Sequence, residues 1–396
     1  MPNTDVLISG ASIAGPALAY WLRERGFRVT IVERAPALRP GGQAVDLRGA
    51  GRTVVARMGL LDQARSVALD QRGIAWVDAS GQHRARMPVE AFAGEGIISE
   101  IEILRGDLSR LLYDATVPGT EYLFDDSVTA ISQDDDGVDV TFDKGAARRF
   151  GLVIGADGLH SATRRLAMGE VALRHLGAHI AIFDVPNELG LDREEVFYTE
   201  PGRMVFAYST GPAAPAKVGM VFGSDEPSLS SDVLPDRFAG LGWQVPRFLE
   251  VLRDHQDVYF DALSQVELPR YSAGRVVLLG DAAHCPSPSA GQGTSMALVG
   301  AYLLAGELAA AGGDHRAAFA RYEARLRPYA ERNLAFGVKM AGEMVPGGRL
   351  SLAVRNYGMR TLRYHPFKRQ LIERITRPLH EAANAIELPS YPMASV

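Results

Sequence analysis

One cysteine in 396 residues, Cys285, removes two classes of protein at once. No internal disulfide framework can form and no thiolate cluster can hold a metal, so no metal site is expected and the setting reads as a reducing cytoplasm. Basic runs are missing too. The net charge is -5, and no stretch gathers Lys and Arg as a phosphate backbone would require, so nucleic acid is not expected as a partner. No uninterrupted apolar stretch reads as long enough to span a bilayer, and the apolar N-terminal run contains Asp5, which argues against a signal peptide. Internal repeats and low-complexity tracts are absent, and the tryptophans Trp21, Trp76 and Trp243 stand apart. What is present is 47% hydrophobic residues and 41 glycines, enough to bury two cores and to supply many turns at strand ends.

The first such turn opens the chain. Asp5 to Ser9 reads as a buried parallel strand, followed by Gly10, Ala11, Ser12, Ile13, Ala14 and Gly15 and then an amphipathic helix. A second strand over 28–32 ends in Glu33, about where a βαβ unit presents a carboxylate to a ribose diol. Gly10 permits the tight turn, Gly15 lets helix and strand approach, and the amides of Ser12, Ile13 and Ala14 face a pyrophosphate. Ser12 stands where the nucleotide-binding pattern has a second glycine, and a plain βαβ unit that binds nothing is the alternative.

Two more strands break into acidic turns. Residues 152–155 lead into Ala156, Asp157 and Gly158, with Ser161 and Arg164 further on. Residues 276–279 lead into Gly280, Asp281, Ala282, Ala283 and His284, then Pro288, Gly291, Gly293, Thr294 and Ser295 at the head of a long Ala- and Leu-rich helix. An acidic residue at a strand's carboxyl end can accept from hydroxyls, while uncapped helix amides supply donors and positive potential. A structural turn is the competing reading for each, and Asp157 could simply cap the helix after it.

Together the three sites resemble the single-component, FAD-dependent aromatic monooxygenases of the para-hydroxybenzoate hydroxylase type, over most of the first 345 residues. Within that family, residues 41–49 (GGQAVDLRG), Met58 to Leu61 and residues 104–112 (LRGDLSRLL) look like the tetracycline-inactivating branch. The resemblance implies roles. Glu33 would hold the adenosine ribose, with Arg34 and Val128 nearby; Arg105 would reach the pyrophosphate or ribityl chain; Asp281 would bind the ribityl hydroxyls. Pro288 would shape the loop beside the flavin, and the amides of Gly291, Gly293, Thr294 and Ser295 would face its N1 and C2 carbonyl. Many relatives carry Asn at the position of Ser295. Asp157 is associated in the family with FAD and the nicotinamide donor. His284 would lock its loop by hydrogen bonding, neither His160 nor His284 has a sequence-local partner to make it a base, and Cys285 reads as a packed small residue.

Three distant sites that meet on one cofactor require a discontinuous domain. The expected fold is α/β: a Rossmann-like FAD-binding domain over 1–70, 101–170 and 270–345, a β-sheet substrate domain over 71–100 and 171–269, and a C-terminal helical segment over 346–396, with one helix packing across both domains. Strand-like runs at 179–185, 195–199, 204–209 and 218–222 carry Phe183, Phe197, Tyr198, Phe206, Tyr208, Met220 and Phe222. Phe183, Tyr198, Tyr208, Met220 and Phe222 are the candidates to line a pocket. About half of the aromatics must fill ordinary core, and a one-residue change of register reverses which half.

The activity implied by the resemblance is hydroxylation of a phenolic or polycyclic aromatic small molecule with NAD(P)H and O2, through a flavin C4a-hydroperoxide. No second Gly-rich fingerprint marks a nicotinamide domain, so NADPH and NADH both stand as donors. A monomer or homodimer without stable membrane association is expected. A flavin halogenase would ordinarily show a Trp-x-Trp pair, which is missing here. A flavin reductase or dehydrogenase, and a flavin protein that only sequesters a metabolite, remain alternatives.

Overall fold

The computed structural model describes residues 4–89, 99, 101–254, 257–362, 365 and 367–391. The first sheet runs in the order β17 (Ser272–Ala273), β18 (Val276–Leu278), β11 (Leu152–Gly155), β1 (Asp5–Ser9), β2 (Arg28–Glu33) and β7 (Thr120–Phe124). All its pairs are parallel except β17 with β18. Its central strands are nearly continuous apolar runs because both faces are covered. Val6 and Ile8 pack with α1 (Ala14–Arg23) and α9 (Gly293–Ala310), whereas Leu7, Val32 and Val153 pack with a three-stranded sheet of β8 (Val128–Gln133), β9 (Val138–Phe142) and β10 (Arg148–Phe150). A short pair, β3 (Ala44–Asp46) with β6 (Glu102–Leu104), lies beside α2 (Gly49–Arg57), α3 (Leu61–Ser66) and α4 (Arg105–Asp114).

The second sheet has the order β16 (Tyr259–Gln265), β12 (Arg174–Val185), β15 (Ala216–Gly223), β14 (Arg203–Ser209), β13 (Glu194–Glu200), β4 (Gly73–Val77) and β5 (His83–Pro88). Side chains alternate between its faces. One face packs Phe183, Tyr198, Val205, Met220 and Phe222 against Leu234 and Phe238 of α6 (Leu234–Phe238) and Val245 and Phe248 of α7 (Val245–Asp254). The other carries Ile180, Met204 and Val221 against Ala341 of α10 (His315–Met344).

Two features differ from the sequence reading. The C-terminal segment forms two helices, α11 (Arg349–Leu362) and α12 (Lys368–Ala383), with Pro366 in the sequence between them. Proline disfavours helix both at itself and at the residue before it, so a break there is physically expected. α11 contacts β5 and β13, whereas α12 contacts α10 and α2, so the contacts foreseen for one helix are divided between two. Second, α9 is long and apolar enough by length and composition to cross a bilayer, yet 78% of it is buried inside the molecule against α1, α2 and α10. The apolar content that such a span would show to lipid is here turned into the core.

Candidate functional site

β1, β11 and β18 are adjacent and parallel, so the turns that follow them open at one sheet edge. Gly10 has φ +111°, and a Cβ there would stand 2.5 Å from the Ala156 carbonyl oxygen; a Cβ on Gly15 would stand 2.0 Å from that of Gly10. Only glycine fits either position. α1 begins with no side-chain cap, which leaves its first amides open to an anion, next to the half-buried Ser12 and Ala14 and the buried Ile13. The carbonyl oxygen of Ser12 accepts from Ser109 Oγ at 3.1 Å, tying the turn to α4.

At the end of β2, Glu33 accepts from the Ala11 amide at 2.9 Å and the Ala35 amide at 3.0 Å. A carboxylate offers about four acceptor positions, so capacity for a diol remains. Arg34 is exposed. The Val128 side chain is spent on the core with Leu7 and Val32.

The turn after β11 is held by its own side chains. Asp157 accepts from Ser161 Oγ at 2.5 Å and from the Thr163 amide at 2.9 Å, and Ser161 N-caps α5 (Ala162–Met168) by accepting from the Arg164 amide. The bonds of Asp157 are therefore those of a helix start. Arg164 is a residue whose part the sequence did not reveal. Its buried guanidinium donates to the Ala282 carbonyl at 3.0 Å and the Leu159 carbonyl at 2.7 Å, fastening the second turn to the third. Nothing in its spacing marks it, because its partners lie on another loop.

Gly280 has φ +63°, and Asp281 opens a one-turn helix, α8 (Asp281–His284). Burial raises the Asp281 carboxyl above its ordinary range, and the Arg105 guanidinium opposes the shift, which brings α4 and this loop to a common charge. A Cβ on Gly293 would stand in ordinary contact with Asp281 Oδ1 at 3.4 Å, so the start of α9 lies directly beside this half-buried carboxylate. Pro288 begins a short 3-10 turn ending at Gly291, whose φ is +61°. α9 starts with no side-chain cap after Gln292, and Thr294 and the buried Ser295 lie in its first turn.

Some expectations are corrected here. The Gly291 amide donates to the Pro288 carbonyl at 3.1 Å, so it is spent within the turn. Ser295 Oγ donates to the Arg48 carbonyl at 3.3 Å, and a Cβ on Gly51 would meet Ser295 Cα at 2.6 Å; the Ser295 side chain joins α9 to α2. His284 does not lock its loop through its ring, whose two nitrogens have no hydrogen-bond partner among the described residues; its ring packs against Tyr271, and burial pushes its pKa down to about 4. His160 does have a partner, distant in sequence: Asp261 on β16, at 3.0 Å. Cys285 is packed, and burial raises its thiol well above the usual range. Phe183, Tyr198, Met220 and Phe222 face α6 and α7 within the core, so they do not line the face turned toward the strand-end turns. Alternation puts Tyr208 on the other face, together with Phe197 and Phe206. Tyr208 Oη accepts from the Ala44 amide at 2.9 Å, joining the second sheet to β3.

Glycines with no room for a Cβ, helix starts with free amides and a half-buried Asp281 fit a dinucleotide carrying a ribityl chain. The FAD binding domain family model matches residues 3–212 and 251–337. A flavin-dependent monooxygenase from an unknown prokaryotic organism is 39% identical, covering 99% of this chain and all of that one. An uncharacterized protein of Mycobacterium tuberculosis is 45% identical, covering 87% of this chain and 94% of its own. Among solved structures, tetracycline destructase Tet(55) superposes with TM-score 0.85 at 37% identity, covering 99% of this chain and 100% of that one. HpxO complexed with FAD and uric acid, at 22% identity and TM-score 0.76, shares the fold. The resemblance carried by the strand-end turns and by residues 41–61 thus extends along the whole sequence, and the chain belongs to the family of FAD-dependent monooxygenases built on this FAD binding domain.

Proposed function

We propose that the protein uses NAD(P)H and O2 to hydroxylate a phenolic or polycyclic aromatic small molecule. The observation that carries this reading is a pair of surfaces, a sheet edge with open amides and Asp281 and a sheet face bearing Phe197, Phe206 and Tyr208, tied together by the bond from the Ala44 amide to Tyr208 Oη. A flat ring packs well against such a face, and the polar edge suits a nucleotide. FAD, when bound, supplies electron transfer from the nicotinamide and the activation of O2.

The chain's own residues place and shelter the reactants. Glu33 takes the adenosine ribose, with Arg34 beside it. Amides at Ser12, Ile13, Ala14 and Gly15, together with Arg105, hold the pyrophosphate, where a fixed guanidinium makes several bonds to oxygen. Asp281 takes the ribityl hydroxyls, and the open amides of Gly293, Thr294 and Ser295 stabilise negative charge on the adjoining polar edge. Residues 1–70, 101–170 and 270–345 make this half of the site, 71–100 and 171–269 the substrate half, and 346–396 a helical segment against both.

A panel of tetracyclines, anthraquinones, salicylates and simple hydroxybenzoates tests the proposal by NADPH and NADH oxidation with labelled O2. Tetracyclines lead the panel because the similar Tet(55) is a tetracycline destructase. The expected result is nucleotide oxidation stimulated by a polycyclic phenol, with one labelled oxygen in the product. Stimulated oxidation with unlabelled product overturns oxygenation. Labelled products from single-ring compounds alone overturn the polycyclic assignment and leave the monooxygenase.

A further inference from the structure

Where β3 and β6 meet the second sheet, three carboxylates gather on one wall. Asp46 stands directly opposite Glu102 in the β3–β6 ladder, and Glu195 stands opposite Tyr208 in the β13–β14 ladder. The bond from the Ala44 amide to Tyr208 Oη joins the two ladders. By alternation Glu195 shares its face with Phe197, Phe206 and Tyr208, so the acidic wall continues the aromatic one.

Asp46 is compensated. It pairs with Arg48 at 3.2 Å and accepts from the Ser99 amide at 3.3 Å. The other two are not. Among the described residues, Glu102 Oε2 is shielded from solvent and has no hydrogen-bond partner, and Glu195 has neither a hydrogen bond nor an ion pair. Like charges directly opposite each other in a sheet destabilise it, and an unpaired buried carboxylate is costlier still. Two such groups from separate elements, close enough for Glu195 to act on Glu102 and for both to act on Tyr208, have no evident role in holding the fold.

We infer that Glu102 and Glu195 form a subsite for a cationic amine carried by the aromatic substrate. This rests on the aromatic-substrate reading above. An ammonium brings the missing positive charge, and a protonated amine also brings donors for the orphaned oxygens. In the empty site the charge is relieved by protons instead. Burial and the nearby Asp46 push Glu195 up to about 8, and burial, Asp46 and Glu195 push Glu102 well up against the opposing charge of Arg48. The charged or titratable groups facing the pair are Asp46 and Arg48 beside β3 and Tyr208 on β14, with Asp184 acting on Tyr208 from β12. Tyr208 is held above its ordinary range by burial and stays neutral. Binding the cation therefore releases a proton from Glu195 to solvent.

The test uses the FAD-loaded protein and two probes of equal shape, 6-(trimethylammoniomethyl)-2-naphthol and 6-neopentyl-2-naphthol, with binding read from the flavin spectrum. The affinity for the cation should rise by up to ~tenfold per pH unit from pH 6.5 to about 8 and then level, while the neutral probe stays flat. Glu195→Gln should flatten the cation's profile and cut its affinity at pH 8 by about tenfold or more, with FAD content and neutral-probe binding retained. Glu102→Gln should weaken the cation in the same direction. Equal, pH-independent binding of the two probes to the parent protein overturns the subsite and leaves the monooxygenase reading intact. If neither naphthol perturbs the flavin, the aromatic-substrate reading falls and takes the subsite with it.

Discussion

Gly219 illustrates how much one hydrogen atom decides. It is the cross-strand partner of Phe206, and a Cβ there would fall 2.0 Å from the ring. Its backbone is ordinary for a strand, so the demand for glycine is steric and comes from the ring lying across it. Gly219→Ala should force Phe206 to swing away, with a loss of about 1–3 kcal/mol in stability from overpacking. The same change should alter substrate-induced flavin spectra while FAD content stays normal, because no FAD-holding residue is touched. Normal substrate spectra with normal stability would show that the ring moves freely and shapes nothing. Arg164 is the complementary case. Its value lies wholly in the two carbonyls it finds on separate turns, and an arginine after a Gly-Ala-Asp-Gly turn carries no sign of where its guanidinium will go.

Among the elements, helix starts are where chemistry was easiest to read and where the two kinds of start had to be told apart. α1 and α9 lack side-chain caps and face the strand-end edge; α5 has the Ser161 cap, and the Asp157 carboxylate accepts from its Thr163 amide. A capped start has used the donors that an uncapped one keeps for a ligand. Ser161→Ala removes the bond to the Arg164 amide and the donor to Asp157, and should lower stability by about 1–2 kcal/mol, read as a shift of the urea midpoint at unchanged slope. FAD content should fall less than it does in an Asp281 variant, since α5 holds the turn in place. An unchanged midpoint would mean that Asp157 alone supports the helix. Strands posed a different problem: β12 to β15 lie where the alternation puts them, but the faces of Phe183, Tyr198, Met220 and Phe222 depend on what covers the sheet, and α6 and α7 come from residues after those four strands in the chain.

For the whole molecule, the proposed placement of FAD across turns at residues 10–15, 105 and 280–295 would link segments that lie far apart in sequence. Any ligand bound only by the folded state stabilises it, by about 2.7 kcal/mol at a hundredfold excess over Kd. Removing FAD should therefore lower the melting temperature, and restoring it should recover the loss. Asp281→Ala should shrink this difference between the loaded and empty forms, since each charge-assisted bond to a ribityl hydroxyl is worth about 1.5–3 kcal/mol. Differential scanning fluorimetry with added FAD measures both, and an undiminished difference in the variant would remove Asp281 from the FAD site.

The strand-turn-helix units at Gly10, Asp157 and Asp281 were legible in the sequence because each is local: a buried apolar run, a glycine whose backbone must turn sharply and an acidic or amide-rich helix start lie within about fifteen residues; the discontinuous α/β order and the FAD-dependent monooxygenase family followed from the resemblance those units carry. Which way a side chain faces is not local. The turning of Tyr208 toward β3, the spending of Ser295 on Arg48, the pairing of His160 with Asp261 and the stranding of Glu102 and Glu195 without partners among the described residues all depend on surfaces supplied by other segments. Burial and alternation are properties of packed layers, so only the tertiary structure could decide them.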